Sequence, residues 1–431
     1  MKVIKKIIAK IALILLYNNR TLAKVKLVKV LSKIELDRLQ ERKLKKVLWE
    51  AVHYVPFYSR MNIDVDFDNF SLEELNKFPV IDKGLMRANV RDFMSTRRMS
   101  LINSTSGSSG TPFVFRLGFT AWVRENLNFT RSLDVKGYAY RIGDPIVVVR
   151  SYVPGDDEPC VKVDVRKNIW YISPFHINPA NIQTIYNFIL RSGAKVIRGY
   201  PSSLLILTTE LEKLGITEHP VKIVSTSSEM LLPYLREILT KFWRGEILDY
   251  YGQNENVVSF SQCSFGRYHN NDDYGYVEIL NNNIVGTSLN NLVMPFIRYN
   301  TQDKASVDEL SSARACQCGS NFSVPVSSID GRNDDILLKK DRTKVSTANF
   351  STAFKDLSSI RQFQFIQYPD LQILVRLVVN YRDEEDLEIF VQRSVSRLGE
   401  DISLSLEIVD EIQRDETSLK VKTTIQKGSY D

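Results

Sequence analysis

Lys195-Val196-Ile197-Arg198-Gly199-Tyr200-Pro201-Ser202-Ser203 runs from a short apolar stretch through a glycine–proline break into the helical pattern Ser203–Leu214. A second apolar stretch, Val221-Lys222-Ile223-Val224-Ser225, follows that helix. The order is repeated upstream. Pro145–Arg150 reads as another short buried strand, and Ile182–Arg191 as a helix between it and Lys195–Ile197. Strands of this kind alternating with helices predict an α/β fold with a largely parallel sheet.

Working outward, Trp122–Leu133 is helical, and Phe113-Val114-Phe115-Arg116-Leu117 reads as a strand after the polar stretch Asn103–Pro112. Pro79-Val80-Ile81-Asp82-Lys83 leads into a further helix. Leu72–Phe78 reads as a short helix started by Ser71, with Glu74 three residues on. Residues 1–50 are helical until Val55-Pro56-Phe57-Tyr58 breaks the pattern. Downstream, Tyr274–Asn300 changes to short alternating strands with a turn at Asn281-Asn282-Asn283. Ile336–Asp431 has its own strand and helix pattern. The polar, turn-like Gly331-Arg332-Asn333-Asp334-Asp335 is the candidate boundary between a domain of residues 1–333 and one of residues 334–431.

The net charge of +6 is unevenly placed. Residues 1–50 carry 14 Lys/Arg against 4 Asp/Glu, so the rest of the chain is slightly acidic. That distribution argues against a nucleic-acid-binding surface, which needs basic residues along a groove or face of the fold. Ile7–Tyr17 is apolar apart from Lys10, but 11 residues are too short to span a bilayer. Asn18-Asn19-Arg20 makes a poor signal-peptidase site, so a cleaved leader is not expected. The segment is expected to dock on the main body as a basic amphipathic helix or helix pair, in a cytoplasmic protein. A peripheral contact with a membrane surface is the alternative.

Ser104-Thr105-Ser106-Gly107-Ser108-Ser109-Gly110-Thr111-Pro112 packs hydroxyls and glycines into one loop. Small residues let backbone N–H groups approach an anion, and hydroxyls add donors. It lacks the Gly-Lys-Ser/Thr end of a Walker A loop.

This loop resembles the phosphate-binding loop of the adenylate-forming superfamily of acyl- and aryl-CoA ligases. Further motifs follow in that superfamily's order. Ser227-Ser228-Glu229 is similar to its Gly-Glu segment, and Asp249-Tyr250-Tyr251-Gly252-Gln253-Asn254-Glu255 to its Tyr-Gly-x-x-Glu motif. Arg298-Tyr299-Asn300-Thr301-Gln302-Asp303 resembles Arg-Tyr-x-Thr-Gly-Asp, and Gly331–Asp335 resembles Gly-Arg-x-Asp-Asp. Val55–Tyr58, Phe78–Lys83 and Arg198–Ser203 are similar to the phenylacetate–CoA ligase family, in its capsular-polysaccharide-biosynthesis branch. The resemblance runs from about Leu44 to Lys422.

The resemblance implies a large α/β domain with a small mobile α+β C-terminal domain. It implies adenylation of a small carboxylic acid by ATP with Mg²⁺, then transfer to CoA, a carrier thiol, an amine such as an amino sugar, or a hydroxyl. Thr105, Ser106, Ser108, Ser109 and Thr111, with Gly107 and Gly110, would hold the phosphates. Ser228, Glu229 and Gly252 would border the nucleotide. Tyr251 would pack near adenine, Asp303 would accept from the ribose hydroxyls with Arg332 assisting, and Glu255 would position Mg²⁺. Asp334 would be the hinge. Lys420 aligns with the superfamily's catalytic lysine, with Lys422 as the alternative. Three glycines of the pattern are replaced, by Ser228, Gln302 and Leu419. These replacements feed a rival reading, a catalytically degenerate zinc-containing scaffold of a polysaccharide assembly.

Cys263, His269, Cys316 and Cys318 form the ligand set of a closed tetrahedral Zn²⁺ site, and a similar set occurs in the branch resembled. Cys160 lies outside it. His176 either lines the acyl pocket or is a satisfied core residue.

Overall fold

The computed structural model describes residues 17–104, 113–150, 152, 154, 158–307, 316–332, 336–341, 344–346, 357–413 and 422–427. The N-terminal basic pattern forms two helices. Asn18 accepts a hydrogen bond from the Thr21 amide at 3.0 Å to start α1 (Asn19–Leu27). Ser32 and Glu35 form a reciprocal capping box at the start of α2 (Lys33–Tyr54). Leu22 and Val25 pack against Val123 and Leu127, and Lys26 bonds Asp134 at 2.8 Å. From residue 17 on, this segment therefore docks on the main body. Pro56, at the first position of α3 (Pro56–Ser59), ends the long helix.

The helix expected at Leu72–Phe78 is instead a 3₁₀ segment, Leu72–Lys77, and Ser71 makes no capping bond. Glu74 is drawn away: its carboxylate accepts the Asp66 amide at 2.9 Å and pairs with Lys77 at 2.8 Å. Asp82, accepting from the Leu85 amide at 2.8 Å, starts α4 (Lys83–Ala88).

β1 (Leu101–Ser104) and β2 (Val114–Leu117) pair antiparallel, with Ser104 opposite Val114. α5 (Phe119–Val135) then leads to an eight-stranded sheet. Its members are β3 (Ile146–Val149), β4 (Val161–Asp164), β5 (Ile169–Ile172), β6 (Val196–Gly199), β7 (Ile223–Thr226), β8 (Glu246–Gly252), β9 (Ser259–Gln262) and β10 (Tyr268–Asn270). The spatial order is β10-β9-β8-β7-β6-β3-β5-β4. The five central strands, β5-β3-β6-β7-β8, are mutually parallel, and the edges are antiparallel. α6 (Ile182–Ser192), α7 (Pro201–Lys213) and α8 (Pro233–Trp243) are the crossovers between consecutive parallel strands.

Alternation along the strands sorts two cores. Val147, Val149, Ile197, Val224 and Ile247 pack on the three crossover helices. Ile146, Val196, Ile223 and Leu248 pack on Phe129 and Leu133 of α5. Burying both faces explains the unbroken apolar runs in the sequence. Gly199 is needed where β6 meets α7: a Cβ there would lie 3.0 Å from Leu204 Cγ and 3.1 Å from the Val149 carbonyl.

β11 (Gly275–Leu280), β12 (Asn283–Ser288), β13 (Tyr299–Ser306) and β14 (Ser328–Arg332) form a second, antiparallel sheet. Asn281 and Asn282 both take left-handed φ, 51° and 61°, as a two-residue hairpin turn demands. The segment following Cys316 and Cys318 runs along β10. Asn270 donates to the Ser323 carbonyl at 2.8 Å, and Tyr268 bridges Val326.

The C-terminal part holds the hairpin of β15 (Ile336–Leu338) and β16 (Lys344–Ser346) and a four-stranded sheet. That sheet comprises β17 (Ile360–Gln367), β18 (Ile373–Val379), β19 (Leu404–Ile408) and β20 (Thr424–Gln426), in the order β19-β18-β17-β20. α9 (Glu384–Leu398) packs Phe390 on Phe363 and Phe365. The same core reaches Leu205, Leu232 and Leu235 beside α7 and α8.

Candidate active site and metal centre

The motif Asp249–Glu255 occupies the carboxyl end of β8, where ligands bind in open parallel sheets. Asp249 ties the strand in place: it accepts Thr226 Oγ1 at 2.7 Å and Tyr268 Oη at 2.5 Å. Burial raises its carboxyl above the usual range, with those two hydroxyls opposing. The next residues turn outward. Tyr251 stacks on Phe260 at 5.0 Å between ring centroids and donates its hydroxyl to Asp303 Oδ2 at 2.7 Å. Burial, then the Asp303 charge, keeps the Tyr251 phenol protonated far beyond its ordinary range.

Asp303 is itself buried, on β13 opposite Arg332 in the β13–β14 register. Its amide donates to Thr301 Oγ1 at 3.2 Å, and Thr301 Oγ1 donates to the Ile284 carbonyl at 2.9 Å. Glu255, also buried, accepts from the Tyr299 hydroxyl at 3.3 Å. Residues 44 and 52 positions apart thus meet here.

Two of the replaced glycines keep a glycine-like backbone. Ser228 has φ 70° and Gln302 φ 65°, both in the left-handed region, and both side chains face solvent. The Gln302 turn is braced by its amide donating to Asn300 Oδ1 at 2.9 Å. Glu229 turns toward the start of α7, accepting the Ser202 amide and hydroxyl at 3.1 Å each. Thr105, Ser106, Gly107, Ser108, Ser109, Gly110 and Thr111 lie outside the described residues, but the strands at the two ends of that loop pair with each other. Leu419, Lys420 and Asp334 also lie outside them; Lys422 is described, and its carbonyl accepts from Gln364 at 2.7 Å. His176 is occupied locally, with Nδ1 2.9 Å from Ser173 Oγ.

Sequence reasoning gave no role to three charged side chains behind Tyr250. Arg198 lies at the end of β6 with its guanidinium 3.8 Å from the Phe129 ring centroid. Arg150 donates to Ser227 Oγ at 2.8 Å. Glu125 of α5 accepts weakly from Tyr250 Oη at 3.5 Å. Arg198 carried its own signal, a charge inside an apolar strand run. Glu125 had none beyond its place on a helix.

Cys263, His269, Cys316 and Cys318 come together, with all four donor atoms within 4.8 Å of one another. Cys263 Sγ is 3.8 Å from Cys316 Sγ, and Cys318 Sγ is 3.3 Å from His269 Nε2. Ligand bonds of about 2.3 Å to sulfur in a tetrahedron require sulfur–sulfur edges of about 3.8 Å. His269 Nδ1 donates to the Phe322 carbonyl at 3.0 Å, which leaves Nε2 as the ligating nitrogen. The donor set fits a soft or borderline divalent ion.

Comparison with solved structures gives the frame. Crystal structures of 2-hydroxyisobutyryl-CoA ligase in the postadenylation state, with 2-HIB-AMP and with R3-HIB-AMP, superpose with TM-scores of 0.71 and 0.72 at 17% and 16% identity. Each covers 93% of this chain and 91% of that enzyme. The chain has the fold of an adenylate-forming CoA ligase. The same enzyme with CoA in the thioesterification state gives a TM-score of 0.59 at 17% identity, over 92% of this chain and 91% of that one. Residues 337–427 match the family CapK C-terminal domain. Protein CapK of Staphylococcus aureus is 22% identical over 324 residues, 72% of this chain and 70% of that protein.

Proposed function

We propose that this protein is an AMP-forming ligase that activates a carboxylic acid with ATP. The supporting observation is the 2.7 Å bond from Tyr251 to Asp303, which joins two motifs at the carboxyl end of the parallel sheet. In the proposed reaction one carboxylate oxygen attacks the α-phosphorus. The bond from that phosphorus to the bridging β-phosphate oxygen breaks, and pyrophosphate leaves with its electrons. Tyr251 would flank the adenine, and its hydroxyl orients Asp303 to accept from the ribose hydroxyls, with Arg332 beside it. The loop 105–111 would donate to the phosphates. Lys420, or failing it Lys422, would bridge carboxylate and phosphate.

Glu255 fits a Mg²⁺ site of the usual kind, in which one carboxylate and the substrate's phosphates share the ion. Bound there, the ion would neutralise phosphate charge. The cysteine–histidine set would hold a structural Zn²⁺, since four protein donors leave no open position. The acyl acceptor would be CoA, a carrier thiol or an amino sugar. Residues 1–333 and 334–431 would move as two domains about Asp334, in a cytoplasmic enzyme of surface-polysaccharide biosynthesis.

Pyrophosphate release from ATP is the test, with a carboxylate panel and hydroxylamine or CoA as acceptor. Turnover that falls at least 10-fold in Asp303→Ala is expected. ATP binding without pyrophosphate release for any acid would instead favour the degenerate zinc scaffold.

A membrane contact has one observation in its favour. Among the described residues no helix is long and apolar enough to cross a membrane. Yet Leu27, Val30 and Ile34 are 62%, 69% and 64% exposed at the α1–α2 corner, beside Lys24, Lys29 and Lys33. Such a corner would sit on an anionic surface. Co-sedimentation with anionic but not zwitterionic vesicles tests it.

A further inference from the structure

The face of the parallel sheet that looks at α5 changes character along its length. Deep in the fold it is Ile146, Val196 and Ile223. The strand registers place Val148, Arg198, Ser225 and Leu248 abreast, and Arg150, Ser227 and Tyr250 follow two residues nearer the carboxyl ends. Two residues of strand are about 7 Å, so Arg198 lies that much deeper than Arg150 on the same face. Opposite them α5 contributes Phe129 and Glu125.

These polar groups are not satisfied by one another. Among the described residues neither arginine has a carboxylate within ion-pair distance, and Arg198 has no hydrogen-bond partner. Its Nε is buried and unbonded, and so is the hydroxyl of Ser225 beside it in the register. Burial, then the neighbouring Arg150, pushes the Arg198 guanidinium down to about 9. Burial also raises the Glu125 carboxyl, so the one acid here compensates the arginines poorly. Buried guanidinium groups persist only where something pairs with them. Both side chains nevertheless keep some exposure, as walls of a crevice do.

Gly252 lies between this cluster and the nucleotide rim. A Cβ at Gly252 would touch Tyr250 Cε1 at 3.4 Å and come within 3.8 Å of Glu125 Oε1. Gly252 therefore places backbone without a side chain between the Tyr251–Asp303 rim and the residues around the arginines. An acid bound between that rim and the arginines would present its reacting carboxylate near Gly252 and its far end to Arg150 and Arg198.

We infer that the acid activated here carries a second anionic group, in its simplest form a second carboxylate, bound at its far end by Arg198 and Arg150. The inference rests on the adenylation reading above. Arg198, Arg150 and Ser225 are specificity-determining groups on this view. The planar guanidinium fork suits a carboxylate, and the Ser225 hydroxyl stands ready to donate to the same oxygens.

Wild-type enzyme is assayed for pyrophosphate release with dicarboxylates from malonate to adipate, each beside its monomethyl ester. At least one diacid is expected to exceed its monoester about 10- to 100-fold in kcat/KM, the range for one charge-assisted contact. Arg198→Met is expected to erase that preference through KM, leaving the monoester as good or better, and Arg198→Lys to recover part of it. Equal use of diacid and monoester by the wild type overturns the inference and leaves the adenylation reading standing. If no acid releases pyrophosphate, the adenylation reading falls, and calorimetry with the same pairs decides the crevice. Diacid binding lost in a folded Arg198→Met protein supports it; no diacid binding, or equal binding of the monoester, overturns it.

Discussion

Among the described residues, arginines meet buried groups in two regions, and their company differs. Near the N-terminal helices they are paired with buried carboxylates. Glu50 is 1% exposed and accepts both Arg97 and Arg98 in two-pronged fashion, with Ser95 as well. Asp273 takes Arg124 and Arg131, and its backbone carbonyl takes Lys43. In the crevice at the carboxyl ends of β3 and β6, Arg150 and Arg198 have no such partner among the described residues. A closed network holds elements together, whereas an open one leaves electrostatic free energy for a ligand to collect.

The largest expected effect tests the closed side. Asp273→Asn leaves Arg124 and Arg131 buried without their carboxylate. The expected loss is about 3–5 kcal/mol in urea unfolding, enough to unfold a marginal chain. Here burial alone would push the Asp273 carboxyl up, and Arg131 and Arg124 more than reverse it, holding it far below the ordinary range. A loss under about 1 kcal/mol would mean the network is ornamental and the contrast between the regions false.

Glu50 gives the same comparison a pH axis. Burial raises its carboxyl, but the bonds from Arg98, Arg97 and Ser95 outweigh burial and hold it at about 2. A folded-state value below the unfolded one stabilises above about pH 4.5, and that stabilisation is lost as pH falls through about 2. Glu50→Gln should cost on the order of 3 kcal/mol at pH 7, from the lost carboxylate charge and weakened hydrogen bonds. The gap between wild type and variant should close below about pH 3, as read from urea midpoints across pH. A gap independent of pH would assign the loss to packing instead.

On the open side the sign changes. Arg198→Met breaks no ion pair seen among the described residues and relieves repulsion with Arg150, against the loss of its cation–π contacts with Phe129 and Tyr250, worth about 1–2 kcal/mol. Its melting temperature is expected to stay within a few degrees of the wild type. A fall as large as that of Asp273→Asn would make the crevice a structural network like the first. The smallest effect belongs to the rim. Ser228→Gly and Gln302→Gly remove left-handed strain of about 1 kcal/mol, offset in part by the greater unfolded-state freedom of glycine. Each should stabilise by a few tenths of a kcal/mol in urea unfolding; clear destabilisation would show that these turns are not strained.

The parallel sheet was legible because strands buried on both faces are largely apolar, as in Ile146–Val149. β4 escaped notice because a short antiparallel edge carries mixed residues such as Lys162 and Asp164. The Ser71 cap failed because Glu74 found a partner outside its own turn. The meeting of Tyr251 with Asp303 could be anticipated only from motif order, since no local pattern links positions 52 apart. The crevice charges were hidden for a related reason: whether Arg198 has a carboxylate partner depends on what α5 and β3 place beside it.

The chain segment along β10 has a consequence for colloidal behaviour. An uncovered edge strand offers its free amides and carbonyls to a second molecule, which is how sheets recruit one another into aggregates. Here Ser323 and Val326 occupy that edge, and they follow directly on Cys316 and Cys318. The opposite edge, β4, is short and charged and guards itself. Anything that loosens the cysteine–histidine cluster would therefore first appear as turbidity rather than as lost catalysis, with the crevice and its arginines still intact.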